Sequence, residues 1–179
     1  MITRQVKQIT RVGEHASSGD FCRIFDENMN SLYLLAFLLT ADHASAEQCF
    51  VSGLEDAVEG NPVFREWAHS WSGRTIIQNA VRVVKPRPDD PGGSLRSNSE
   101  NSDYEATPAE RRIEISAVLG LEPFERMVYV MTVLEHYSDH ECSLLVGCAR
   151  RDVLPLRIRA LEKIGRQVET QDRQPTIAG

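Results

Sequence analysis

Arg150, Arg151, Arg157, Arg159, Lys163 and Arg166 gather six cations near the end of the chain. On a helix, positions 159, 163 and 166 fall at four- and three-residue spacing and share one face. Such a face suits contacts along a nucleic-acid backbone, where each phosphate contact releases about one counterion. Direct base reading has fewer means, because Val153, Leu154, Pro155 and Leu156 offer few hydrogen-bonding groups to a major groove. The competing reading of the same cluster is an ordinary solvated face.

Other residues invite different chemistry. His136 and His140, with Glu141 and Cys142, have the types of a metal-ligand set. Tyr137-Ser138 interrupts the helix that would align them, so capping and surface roles are expected and no metal. Cys142 and Cys148 lie six apart and are expected to pack as small side chains rather than to form a redox pair. Trp67 and Trp71, four apart, are either a stacking platform for single-stranded bases or a stripe of a helical core. The core is the expectation, as it is for Phe50 and Leu54. No G-x-S-x-G, glycine-rich phosphate loop or H-E-x-x-H occurs, and Glu55, Asp56 and Glu59 lack His or Lys partners. The expectation is a protein that is not an enzyme, with no cofactor and no small-molecule substrate.

These residues need elements to position them. The 179 residues are 41% hydrophobic and 26% charged, enough apolar material for a core. The longest apolar run, residues 32–39, is far short of the roughly 20 that span a bilayer. No signal-like stretch opens the sequence and no C-x-x-C pair occurs, so a cytoplasmic protein with reduced thiols and no membrane partner is expected. The formal charge of −6 argues against coating nucleic acid by bulk charge. It is unevenly spread: residues 20–84 hold four basic and nine acidic residues, residues 150–179 seven basic and four acidic.

The periodicity is helical throughout, with no strand alternation. Phe21, Ile24, Phe25, Met29, Leu32, Leu35, Ala36 and Leu39 predict one helix capped by Asp20. A second is expected over 44–58, with Asp42 or Ser45 near its cap, and a third over 64–84, bent near Ser72-Gly73 and stopped by Pro86. Residues 85–103, rich in Pro, Gly, Ser and Asn, have little to bury and read as a flexible linker. Thr107-Pro108-Ala109-Glu110 opens a helix through Val118, and Glu122-Pro123 opens another. Residues 139–146 form a short helix, Gly147 a turn, and a last helix reaches Val168. With Asp152 as its cap, Pro155 avoids the helix interior and Arg150 and Arg151 lie in the turn. The fold class is therefore all-α: helical domains at 20–84 and 108–168, a linker at 85–107, a tail at 169–179, and a helix-turn-helix in the second domain.

Leu121-Glu122-Pro123-Phe124-Glu125-Arg126, the apolar run to Leu134, Tyr137-Ser138, Glu141, Gly147, Val153 and Arg159-Ala160-Leu161 together resemble the second domain of the sigma-70 family of RNA polymerase sigma factors. The likeness is to the small two-domain, extracytoplasmic-function type. In the first domain, Leu32-Tyr33-Leu34-Leu35-Ala36, Ala46-Glu47 and Ile76-Ile77-Gln78-Asn79 lie in the family's order and spacing. Gln48, Val51 and Leu54 stand where the family has Asp, Gln and Phe. The resemblance implies polymerase binding by Glu47, Gln48, Phe50, Val51 and Leu54, and promoter melting by Gln78, Asn79 and Arg82. It implies DNA contact by the basic cluster of Arg150, Arg151, Arg157, Arg159, Lys163 and Arg166. Core RNA polymerase and promoter DNA are the implied partners, with an anti-sigma factor as a further candidate. Two alternatives stay open: a degenerate sigma-like interaction or regulatory module without promoter recognition, and a stand-alone helix-turn-helix regulator.

Overall fold

A computed structural model describes residues 14–86 and 109–172. Within them every regular element is helical; the only extended pairing is an isolated bridge between His15 and Phe64, whose rings stack. Residues 87–107 of the expected linker, and the tail beyond Asp172, lie outside the described residues.

The first half holds α1 (Ser18–Glu27), α2 (Met29–Thr40), α3 (His43–Glu59) and α4 (Ala68–Val84). The single opening helix expected from periodicity is two, broken at Asn28, whose side-chain amide turns back to donate to the Ile24 carbonyl at 2.8 Å. Asp20 is not the cap. Ser17 is, and Asp20 closes the box from three residues inside by accepting from the Ser17 backbone and hydroxyl. Asp42 caps α3 through the Ser45 amide. The break in the third helix falls at Trp67–Ala68, where a short 3-10 turn over Arg65–Trp67 ends, rather than at Ser72-Gly73. Ser72 is buried and bonded to the Ala68 carbonyl inside a continuous α4.

Packing explains α2. Leu32, Leu35, Ala36, Phe37, Leu38 and Leu39 are all buried, so this helix is covered nearly all round. Each large side chain so buried contributes roughly 1.5–3 kcal/mol. Its neighbours α3 and α4 approach closely at Gly53, where a Cβ would lie 2.6 Å from Ile76 Cδ1.

The second half holds α5 (Ala109–Leu119), α6 (Pro123–Tyr129) running into a π-helical turn at Val130–Leu134, α7 (Asp139–Val146) and α8 (Arg150–Asp172). Ser138 and Glu141 form a capping box on α7, and Gly147 ends it in the left-handed region at φ 78°. The expected late start of the last helix is overturned. α8 begins at Arg150, with the Asp152 amide already bonded to the Ala149 carbonyl, and Pro155 lies inside it. Pro155 is the sixth residue of α8, so the helix forgoes a single amide bond, the one to the carbonyl of exposed Arg151 near its head.

The two halves share one core that runs from Phe21 to Leu156. Arg126 is its polar pin. It is buried, and it donates to the Leu39 and Thr40 carbonyls ending α2 (3.3 Å each) and to the Leu121 carbonyl after α5 at 3.0 Å. Burial pushes its guanidinium down to about 10, so it stays charged at neutral pH. No helix among the described residues is long and apolar enough to cross a membrane.

Candidate nucleic-acid interface

α8 presents three kinds of surface. Val153, Leu156 and Ala160 are buried against the core. Leu154, Ile158 and Leu161, at four- and three-residue spacing, form an apolar stripe left 46–47% exposed. The cations surround these two faces and fare differently from one another.

Arg150 and Arg151 are exposed at the head of the helix. Arg151 has only Asp152 nearby, at 3.9 Å. Two cations at the positive end of a helix dipole repel it, and an anion bound there would relieve both. Arg166 is exposed, its Nε donating to the Glu162 carbonyl. The other three cations meet acids. Arg157 pairs with Asp139 at 2.7 Å, and Lys163 with Glu125 at 2.5 Å. Arg159, itself exposed, leans on the same Glu125 at 3.8 Å. Glu125 is buried, and the two cations above it supply the countercharge it needs.

The residues of the first half divide as well. On α3, Glu47, Gln48 and Val51 face outward, while Phe50 and Leu54 are half-buried and packed on the core. Phe50 sits edge-on to Phe25, with ring centroids 5.3 Å apart. On α4, Asn79 is buried and donates to Asp56 Oδ2 and the Thr75 carbonyl, both at 2.9 Å. Arg82 reaches the same Asp56 oxygen at 2.9 Å. Gln78 alone of the three expected melting residues lines a groove, which lies between α4 and the segment joining α6 to α7.

That groove was only half legible. Trp71 is half-buried and packs on the core as expected, but Trp67 is 57% exposed, which overturns the core stripe at that position. Gly60-Asn61-Pro62 ends α3, as its residue types predict, but not predicted was that the loop after it carries Phe64 out to meet Trp67 edge-on at 5.4 Å. No group of His, Cys, Asp and Glu among the described residues is placed to hold a metal. Glu141, a candidate ligand by sequence, is engaged by Ser138, whose hydroxyl and then backbone bonds hold its carboxyl below the usual range. Cys142 is buried and its thiol is pushed up to about 12, as Cys49 is to about 11, which leaves both as inert packing groups.

Compared with known proteins, the chain matches no family model and no curated protein.

Proposed function

We propose that this chain is a sigma-factor-like protein that binds core RNA polymerase and promoter DNA in the cytoplasm and directs transcription initiation. The observation that carries the reading is the head of α8. A short capped helix, a left-handed glycine turn and a long helix, with Arg150 and Arg151 exposed at the junction, support reading this segment as a helix-turn-helix. In this reading Arg150, Arg151, Arg159 and Arg166 hold phosphates of the upstream promoter element. The outward face of α3 meets polymerase through Glu47, Gln48 and Val51, and Gln78 meets the melted strand. The role is non-catalytic: binding energy positions the polymerase. An anti-sigma factor is the natural class of regulator.

The exposed stripe of Leu154, Ile158 and Leu161 favours a second reading, in which α8 docks a protein and the chain is a sigma-like interaction module. In vitro transcription from a promoter library with core enzyme separates the two. Initiation from a subset of templates, lost on replacing Arg150 and Arg151 by Ser, supports the first. Failure on every template, with neither polymerase nor DNA bound at low salt, leaves the second.

A further inference from the structure

Leu154, Ile158, Leu161, Gly165 and Val168 follow one another along α8 at spacings of four, three, four and three, the repeat of a coiled-coil seam. At 3.6 residues per turn they form one stripe. Its three large members are 46–47% exposed and Val168 is half-buried, while Val153, Leu156 and Ala160 bind α8 to the core from another face. The exposed members are therefore left over from the fold of the single chain.

Gly165 is the odd member of the stripe. It lies inside α8, where glycine weakens a helix, and a Cβ there would meet nothing within 4 Å. No neighbour in this chain calls for a small residue at that point. A facing helix does, where a large side chain on one side of a seam fits over a small one on the other.

Charge gives the direction of that facing helix. The head of α8 carries Arg150 and Arg151, and its far end exposes Glu169. Arg151 has only Asp152, at 3.9 Å, beyond hydrogen-bond range. Among the described residues Glu169 makes no ion pair. An identical helix laid antiparallel brings each basic head to an acidic end and opposes the two helix dipoles, whereas a parallel one sets two basic heads side by side.

We propose that α8 pairs antiparallel with α8 of a second copy of this chain, about a twofold axis midway between positions 159 and 160. In that register Ile158 faces the second copy's Leu161, and Leu154 fills the space over the second copy's Gly165. Arg151 comes within one residue of level with the second copy's Glu169, on the same flank of the seam, and the twofold repeats every contact. The proposal rests on the second reading above, since it names the protein that α8 docks; Arg151 then serves the pairing and not a phosphate. Some 20 residues of helix a side, about 30 Å, make a small interface of the class that associates reversibly.

Sedimentation of the full chain from about 1 to 300 µM tests it, across the range where such interfaces exchange. The mean mass is expected to climb with concentration from one 179-residue chain toward two and to stop there. Leu161→Arg, at an exposed position, is expected to weaken association by roughly tenfold or more with the thermal melt unchanged. Gly165→Trp adds apolar surface, so general stickiness would strengthen association; overfilling the layer under Leu154 is expected to weaken it instead. Arg151→Glu is expected to weaken it severalfold, and adding Glu169→Arg to restore it, because the exchanged pair still meets across the axis. A chain that stays monomeric throughout overturns the proposal, as does growth past two copies. Tighter association of Gly165→Trp, or a charge exchange without rescue, also overturns it. The transcription assay uses nanomolar chain, where the dimer is dissociated, and so decides the second reading separately: a monomeric chain that initiates on no template leaves that reading standing with a different protein as partner.

Discussion

On α4, Asn79 and Arg82 converge on one carboxylate, Asp56 Oδ2, each at 2.9 Å; at the head of α8, Arg150 and Arg151 stand in water with a single acid 3.9 Å from Arg151. Both regions place polar and basic side chains on helices, and by residue type both could face DNA. The difference lies in what each helix packs beside. α4 lies along α3, whose acidic turn supplies Asp56, whereas at the first turn of α8 Arg150 and Arg151 are exposed. A paired cation must give up its partner before it meets a phosphate; an unpaired one need not. The same contrast divides α8 itself, where Arg157 and Lys163 are tied to Asp139 and Glu125 and Arg166 is not.

Arg126 is the extreme of the tied kind, and breaking it tests the contrast most severely. Arg126→Met strands the carbonyls of Leu39, Thr40 and Leu121 and should cost about 3 kcal/mol or more in urea unfolding. Arg126→Lys should recover only part, since an ammonium cannot reach carbonyls on both sides of the core. A variant within about 0.5 kcal/mol of the native protein would remove the pin from the account.

The α4 pair comes next. Asn79→Ala deletes both bonds its buried amide donates, and the longer one it accepts from Arg82, and should destabilise by about 2 kcal/mol. Asp56→Ala should cost less, about 1 kcal/mol for a half-exposed acceptor, and should raise affinity for duplex DNA by releasing Arg82. Unchanged DNA binding by Asp56→Ala would mean that this face of α4 meets no phosphate.

Replacing both Arg150 and Arg151 by Ser should move stability by no more than about 0.5 kcal/mol, because neither supports the fold. The loss should appear in binding. The slope of log affinity against log salt should fall by about 1.8, two contacts at about 0.9 each. Anisotropy on a labelled duplex across a salt series measures it, and an unchanged slope would leave the α8 head no different from α4.

The contrast was legible only in part from the chain. Helical class follows from spacing, as with Phe21 to Leu39, and so do some caps, such as Ser138 on α7 and Asp42, one of two candidates on α3, whereas on α1 Ser17 holds the place expected of Asp20. The break at Asn28 was hidden because the apolar period continues through it, while the event is a side-chain bond back to Ile24. The start of α8 is misplaced from sequence because the loss of one amide bond near a helix head, to the carbonyl of exposed Arg151, does not stop a 23-residue helix. Partners distant in sequence could not be read at all. Nothing near Arg82 announces Asp56, nothing near Lys163 announces Glu125, and Arg126 gives no sign that it reaches back to the end of α2.

The smallest effect expected concerns a third tied cation, Arg65, which donates to Asp20 at 3.1 Å and to Glu14 at 2.9 Å. Asp20 is held near a pKa of about 2, first by the Ser17 amide and hydroxyl and then by Arg65. Because the folded value lies below the ordinary 3.8, the unfolded chain takes up this proton first as pH falls. The contribution is therefore whole above about pH 4 and fades toward pH 2. Ser17→Ala should shift the acid unfolding limb upward by a fraction of a pH unit and leave the neutral-pH DNA affinity untouched, and Arg65→Met should shift it less. If Arg65→Met moved the limb more than Ser17→Ala, charge would outweigh the cap at this carboxylate. Arg65 would then resemble Lys163 over Glu125 rather than Arg151 beside Asp152.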